Sequence, residues 1–152
     1  MKFVNIIVFF LLLFSQTIKA KDFKYKVIGT LTEDHVIMFP KGGKFVSFHH
    51  LGGFETELGK YGEYECRGNI LYDETSKLEN MYFACEHKDQ QNETFITTGK
   101  RLRGSDVDRA VGKMSIVEGE GFWQNYVDYT CTYAIEYVNK TIFSPVHCKK
   151  SP

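Results

Sequence analysis

Tyrosines recur at four-residue spacing near the end of the chain. Tyr129, Tyr133 and Tyr137 share one face of a segment whose other face carries Asp128, Thr130, Thr132 and Glu136. Upstream, Tyr64 and Tyr72 share a face with Cys66 and Ile70. A phenol hydroxyl both donates and accepts, and once carried into an apolar interior it needs a protein partner, water or a ligand. If these faces enclose a space, Tyr64, Tyr72, Tyr129, Tyr133 and Tyr137 are the candidate ligand-binding residues. The alternative is that the rings only fill a core.

The four cysteines form the second patterned set. Cys66 and Cys85 stand symmetrically about the polar run Asp73-Glu74-Thr75-Ser76-Lys77, and Cys131 and Cys148 about Asn139-Lys140. Residues equidistant from a turn face each other across an antiparallel hairpin. Of the possible connectivities, Cys66–Cys85 and Cys131–Cys148 are therefore expected. Each closes a loop of about 20 residues, which contributes roughly 3 kcal/mol in the chain-entropy model. Zinc sites usually bring ligands in close C-x2-C pairs; this chain has none, and no metal is expected.

No nucleophile elbow, H-E-x-x-H, Walker loop or dinucleotide fingerprint is present. The histidines are His35, His49, His50, His87 and His147. On a strand His49 and His50 point to opposite faces and cannot share a metal. Asp106-Val107-Asp108 resembles a fragment of a calcium loop, but it lacks the glycine and the distant glutamate, so a solvated turn is expected. No catalytic residue is assigned, no cofactor is expected, and the balance leans away from an enzyme.

The elements that must position these groups are strands. Period-two alternation dominates and helical periodicity is nearly absent. Strands are expected over 23–29, 35–39, 44–51, 63–72, 80–87, 94–100, 112–118 and 126–138, with a short last one near 142–148. Pro145 confines that last strand to an edge or an irregular pairing. Turns are expected at Lys41-Gly42-Gly43, Gly52-Gly53, Gly59–Gly62 and Gly119-Glu120-Gly121, and the one helix candidate is Ser105–Ala110. Eight or nine short strands with frequent turns indicate an all-β fold: a disulfide-stapled antiparallel barrel of eight (or nine) strands, with a sandwich as the alternative.

Lys2, the apolar run 3–14 and the small residue Ala20 fit a secretory signal, too short to cross a bilayer as a helix of about 20 residues. Residues 1–20 are read as the signal peptide and 21–152 as a single β-barrel domain. Its removal takes away Lys2 and Lys19 and leaves 17 basic against 19 acidic residues. A net charge of −2 argues against nucleic acid as a partner, and no second apolar stretch could span a membrane. The expected location is secreted: extracellular, or periplasmic in a bacterium. Asn92-Glu93-Thr94 and Asn139-Lys140-Thr141 fit the N-glycosylation pattern, which makes Asn92 and Asn139 candidate glycan sites.

Gly112-Lys-Met-Ser-Ile-Val-Glu-Gly-Glu-Gly-Phe-Trp123 and the polar–aromatic strand after it resemble the glycine-rich segment of small secreted barrels related to allene oxide cyclase and dirigent proteins. Glu118 and Glu120 stand where that pattern has glycine and threonine, and no catalytic residue of either enzyme family maps onto this chain. Gly121-Phe122-Trp123 is also similar to the lipocalin G-x-W, which in lipocalins opens the first strand. Three functions follow as expectations. The first is a non-catalytic binding module for a small apolar or aromatic ligand. The others are a cyclase- or dirigent-type enzyme that steers a reactive intermediate, and an extracellular protein that binds a host or partner protein, for which an exposed patch at Phe122-Trp123 would speak.

Overall fold

The computed structural model describes residues 21–102 and 110–151. The expected leader, the helix candidate at 105–110 apart from Ala110, and the Asp106–Asp108 fragment lie outside them. Eight antiparallel strands close on themselves in sequence order. They are β1 (Phe23–Met38), β2 (Lys44–Thr56), β3 (Tyr61–Tyr72), β4 (Leu78–Asp89), β5 (Thr94–Leu102), β6 (Ala110–Gly119), β7 (Tyr129–Val138) and β8 (Thr141–Lys150), with a 3₁₀ helix (Gly121–Tyr126) between β6 and β7. The segments expected at 23–29 and 35–39 are one long strand, so the described residues hold eight strands. Gly52-Gly53 lies inside β2 and is not a turn.

Inward positions are mostly apolar or aromatic, with His50, His87, Thr97 and Ser144 among the buried polar exceptions, while Lys24 and Lys26 of β1 and Glu86 and Lys88 of β4 are exposed on the outside. This is the reverse of a barrel whose wall faces lipid. Among the described residues no helix is long and apolar enough to cross a membrane. Both disulfides form as the hairpin symmetry requires. Cys66 pairs directly with Cys85 and Cys131 with Cys148, each with Cα atoms 4.0 Å apart. Pro145 does not make β8 an edge. It faces Lys26 of β1, and the β7–β8 ladder is interrupted beside it, between the pairs Tyr133–Val146 and Glu136–Phe143. The missing N–H of proline produces that gap.

Glycines shape the wall. A Cβ on Gly99 would lie 2.3 Å from the Phe83 ring, and one on Gly112 would lie 2.3 Å from the Tyr133 hydroxyl. Large rings from neighbouring strands thus occupy the space that side chains at these glycines would take, a common device for closing small barrels.

Four hairpins share one turn geometry, closed by an N–H of the fourth turn residue bonding to the C=O of the first. Their first residues are Phe39, Thr56, Asp73 and Asp89. The fourth residues, Gly42, Gly59, Ser76 and Asn92, all have positive φ. At three turns the first side chain also caps the loop: Thr56 Oγ1, Asp73 Oδ1 and Asp89 Oδ1 each accept two backbone N–H groups from within the turn. This is the Asx/ST chemistry of such loops. The β1–β2 turn has Phe39 in that place.

Candidate functional site

The two ends of the barrel differ. At one end the 3₁₀ helix forms a plug, with Trp123 fully buried against Phe95 (centroids 4.3 Å), Phe23 (6.0 Å) and Phe54 (6.4 Å). A polar latch sits around it. Asp89 Oδ2 accepts the Trp123 indole N–H at 3.1 Å and the Lys60 ammonium at 2.8 Å, while Oδ1 takes the Gln91 and Glu93 amides. Lys60 also donates to Gln91 and, at 3.3 Å, to Glu93, and lies 4.7 Å over the Phe122 ring. Burial alone would raise the Asp89 pKa. The Lys60 and backbone bonds outweigh it and hold the carboxyl below its usual range. The exposed Phe122-Trp123 patch that would speak for a partner-binding protein is absent, because Trp123 is in the core and Phe122 packs on it, ring to ring at 5.1 Å.

Behind the plug lies an interior cavity of about 50 Å³. Its wall is mostly apolar, including Phe83, Met81, Met114 and the Cys66–Cys85 bridge. Four buried polar atoms on this wall have no hydrogen-bond partner: the hydroxyls of Tyr25, Tyr64 and Tyr133, and Nδ1 of His87. Three of these rings form one cluster, His87 lying edge-on to Tyr25 at 5.6 Å and stacked on Tyr64 at 5.9 Å. Buried polar atoms are almost always satisfied, so four on residues that line one cavity are an unusual concentration.

Burial sets the protonation states. It pushes the hydroxyls of Tyr64 and Tyr133 up to about 12, with Tyr137 adding to both and Arg101 opposing at Tyr133. The Tyr25 pKa is raised further by burial alone. Burial lowers His87 to about 3, against a hydrogen bond to the Phe95 backbone, and lowers His50, another wall residue, to about 4 with help from His49. At neutral pH the site therefore holds neutral phenols and neutral imidazoles.

The five sequence-expected tyrosines fall at three levels. Tyr64 and Tyr133 are on the cavity wall. Tyr129 faces inward but lies in the plug, 5.3 Å from Tyr126 and 6.4 Å from Phe23. Tyr72 and Tyr137 stand toward the end opposite the plug, Tyr72 half-buried beneath the Lys44 ammonium (5.0 Å from the ring) and Tyr137 47% exposed. Sequence reading did not single out Tyr25, His50 or His87. The signal for His87 was available, since it continues the inward series Met81, Phe83, Cys85 by one step. His49 points outward, 3.0 Å from Glu65, as alternation requires. Asn92 and Asn139 both occupy exposed turns. Among the described residues no three metal-ligating side chains converge.

Comparison of the chain with protein-family models, curated proteins and solved structures gives no match.

Proposed function

We propose that this chain is a secreted binding barrel whose interior takes up a small molecule with an apolar or aromatic body and at least one hydrogen-bonding group. The observation that carries this reading is the set of unpartnered atoms on Tyr25, Tyr64, Tyr133 and His87 around one largely apolar cavity. A buried water needs about 2–4 polar partners, and most of this wall offers none. A ligand with an apolar body and a polar head fits the same wall better. Sites for drug-sized ligands measure about 300–1,000 Å³, so a cavity of about 50 Å³ suits at most a single ring, with the flexible Met81 and Met114 side chains yielding.

A cyclase- or dirigent-type enzyme is the second reading, favoured by the inward imidazoles of His50 and His87. Proton transfer is most efficient when the catalytic pKa lies near the working pH. Imidazoles at about 4 and 3 and phenols at about 12 are far from neutrality, and this supports binding over catalysis.

Export through the leader 1–20 agrees with two disulfides, which persist in oxidising compartments. Asn92 and Asn139 are the proposed glycan sites in a host that glycosylates. Native mass spectrometry of the secreted protein tests the main reading. A small-molecule adduct that is lost on denaturation is expected; a bare polypeptide mass in every preparation, with no uptake of added single-ring compounds, would refute it.

A further inference from the structure

Past Thr30, which pairs with Thr141 of β8, β1 runs on for Leu31–Met38 with β2 as its only strand partner among the described residues. At about 3.3 Å per residue that is some 26 Å along the strand beyond the end of β8. The β1–β2 hairpin tip therefore stands well beyond the end of β8, level with the β3–β4 turn, against which Gly42 and Gly43 lie. Its tip is apolar and uncovered: Val36 is 42% exposed, Ile37 50%, Met38 69% and Phe39 40%.

Two features separate this tip from an ordinary loop. Where the other three turns of the same geometry place a capping Thr or Asp, this one has Phe39, followed by Pro40 and by Gly42 and Gly43 at positive φ. The position that local turn chemistry fills with a polar cap is given to an exposed ring, and a residue that breaks the local rule without a packing gain marks function. The second feature is that apolar groups lie on both faces. Val36 stands opposite the inward Val46, and Ile37 stands on the other face opposite Phe45. A protein partner docked on one face would leave the other in water, whereas a medium that surrounds the tip covers both. Lys41 is exposed in the turn, placed to meet anionic headgroups while the apolar tip enters the acyl boundary.

We propose that the β1–β2 hairpin tip, Val36 to Phe39, inserts into the surface of a lipid bilayer. The proposal stands independently of what the cavity holds. It is tested with the mature chain and vesicles of phosphatidylcholine with 30% phosphatidylglycerol as the probe. Co-sedimentation is expected, and Ile37→Asp/Met38→Asp should weaken it at least tenfold. Both positions are exposed, so the variant should keep its fold, checked by near-ultraviolet circular dichroism. A Phe39→Trp variant should be quenched by brominated acyl chains, while the buried Trp123 of the parent chain should not. Any of three results overturns the proposal: no vesicle binding, binding that the double aspartate variant leaves unchanged, or tip-dependent self-association of the free protein with no quenching in Phe39→Trp.

Discussion

The Trp123 indole donates to the Asp89 carboxylate at 3.1 Å, joining residues 34 apart in sequence at the closed end of the barrel. The same carboxylate receives Lys60 and two turn amides, so one side chain ties the 3₁₀ helix to the β2–β3 and β4–β5 turns. Asp89→Ala would leave the buried indole N–H without its acceptor and the Lys60 ammonium with only Gln91 and Glu93. Because Glu93 still faces Lys60, the main loss is the unsatisfied buried donor, which costs about 1–3 kcal/mol. That loss is expected in urea unfolding with disulfides intact; a change below 1 kcal/mol would show the latch to be dispensable.

Acid should unfold this barrel through its buried imidazoles. The usual histidine pKa is about 6.5, and the fold lowers His87 to about 3 and His50 to about 4. Below pH 6.5 the unfolded chain takes up protons that the folded chain refuses. Stability is therefore full above pH 6.5 and declines as pH falls, by about 1.4 kcal/mol per pH unit for each histidine, until their folded pKa values are reached. The depressed Asp89 carboxyl adds a further loss only below about pH 4, where its unfolded form protonates. Denaturant midpoints between pH 7 and 4 check this. His87→Leu should roughly halve the slope, and a flat profile in the parent chain would contradict the buried neutral state.

Glycine substitutions should separate sharply by position. Gly99→Ala drives a methyl to 2.3 Å from the Phe83 ring, whereas at Gly53 the nearest atom is a carbonyl oxygen at 3.4 Å. Overpacking of this kind costs about 1–3 kcal/mol. Gly53→Ala should be neutral or slightly stabilising, because alanine restricts the unfolded chain. Thermal unfolding of the two variants side by side decides it, and equal effects would mean that the rings do not fill the glycine positions.

Much of this architecture was legible because it is local. Hairpin symmetry fixes which residues face each other, so both cysteine pairs and the inward faces could be read from spacing. Alternation gives a side chain's facing but not its depth along the barrel axis. For that reason Tyr64, Tyr129 and Tyr137 look equivalent in sequence yet lie on the cavity wall, in the plug and at the rim. The 3₁₀ helix was hidden for a different reason. Gly119-Glu120-Gly121 reads as a turn, and Trp123 and Tyr126 are held by partners far away in sequence. Gly52 looked like a turn signal because its use, a close approach of the backbone to Gly29 of β1, exists only after β1 and β2 pair.

The interior site is tested most directly by calorimetric titration of the mature chain with phenol and with benzene. These probes share a ring and differ by one hydroxyl, the group that the unpartnered atoms of Tyr25, Tyr64, Tyr133 and His87 would engage. Phenol is expected to bind at least tenfold more tightly than benzene, equivalent to the about 1.4 kcal/mol of one hydrogen bond. A Tyr25→Phe/Tyr64→Phe/Tyr133→Phe variant should lose most of that preference. Failure of phenol to bind the parent chain, or equal affinity for the two probes, would contradict the account.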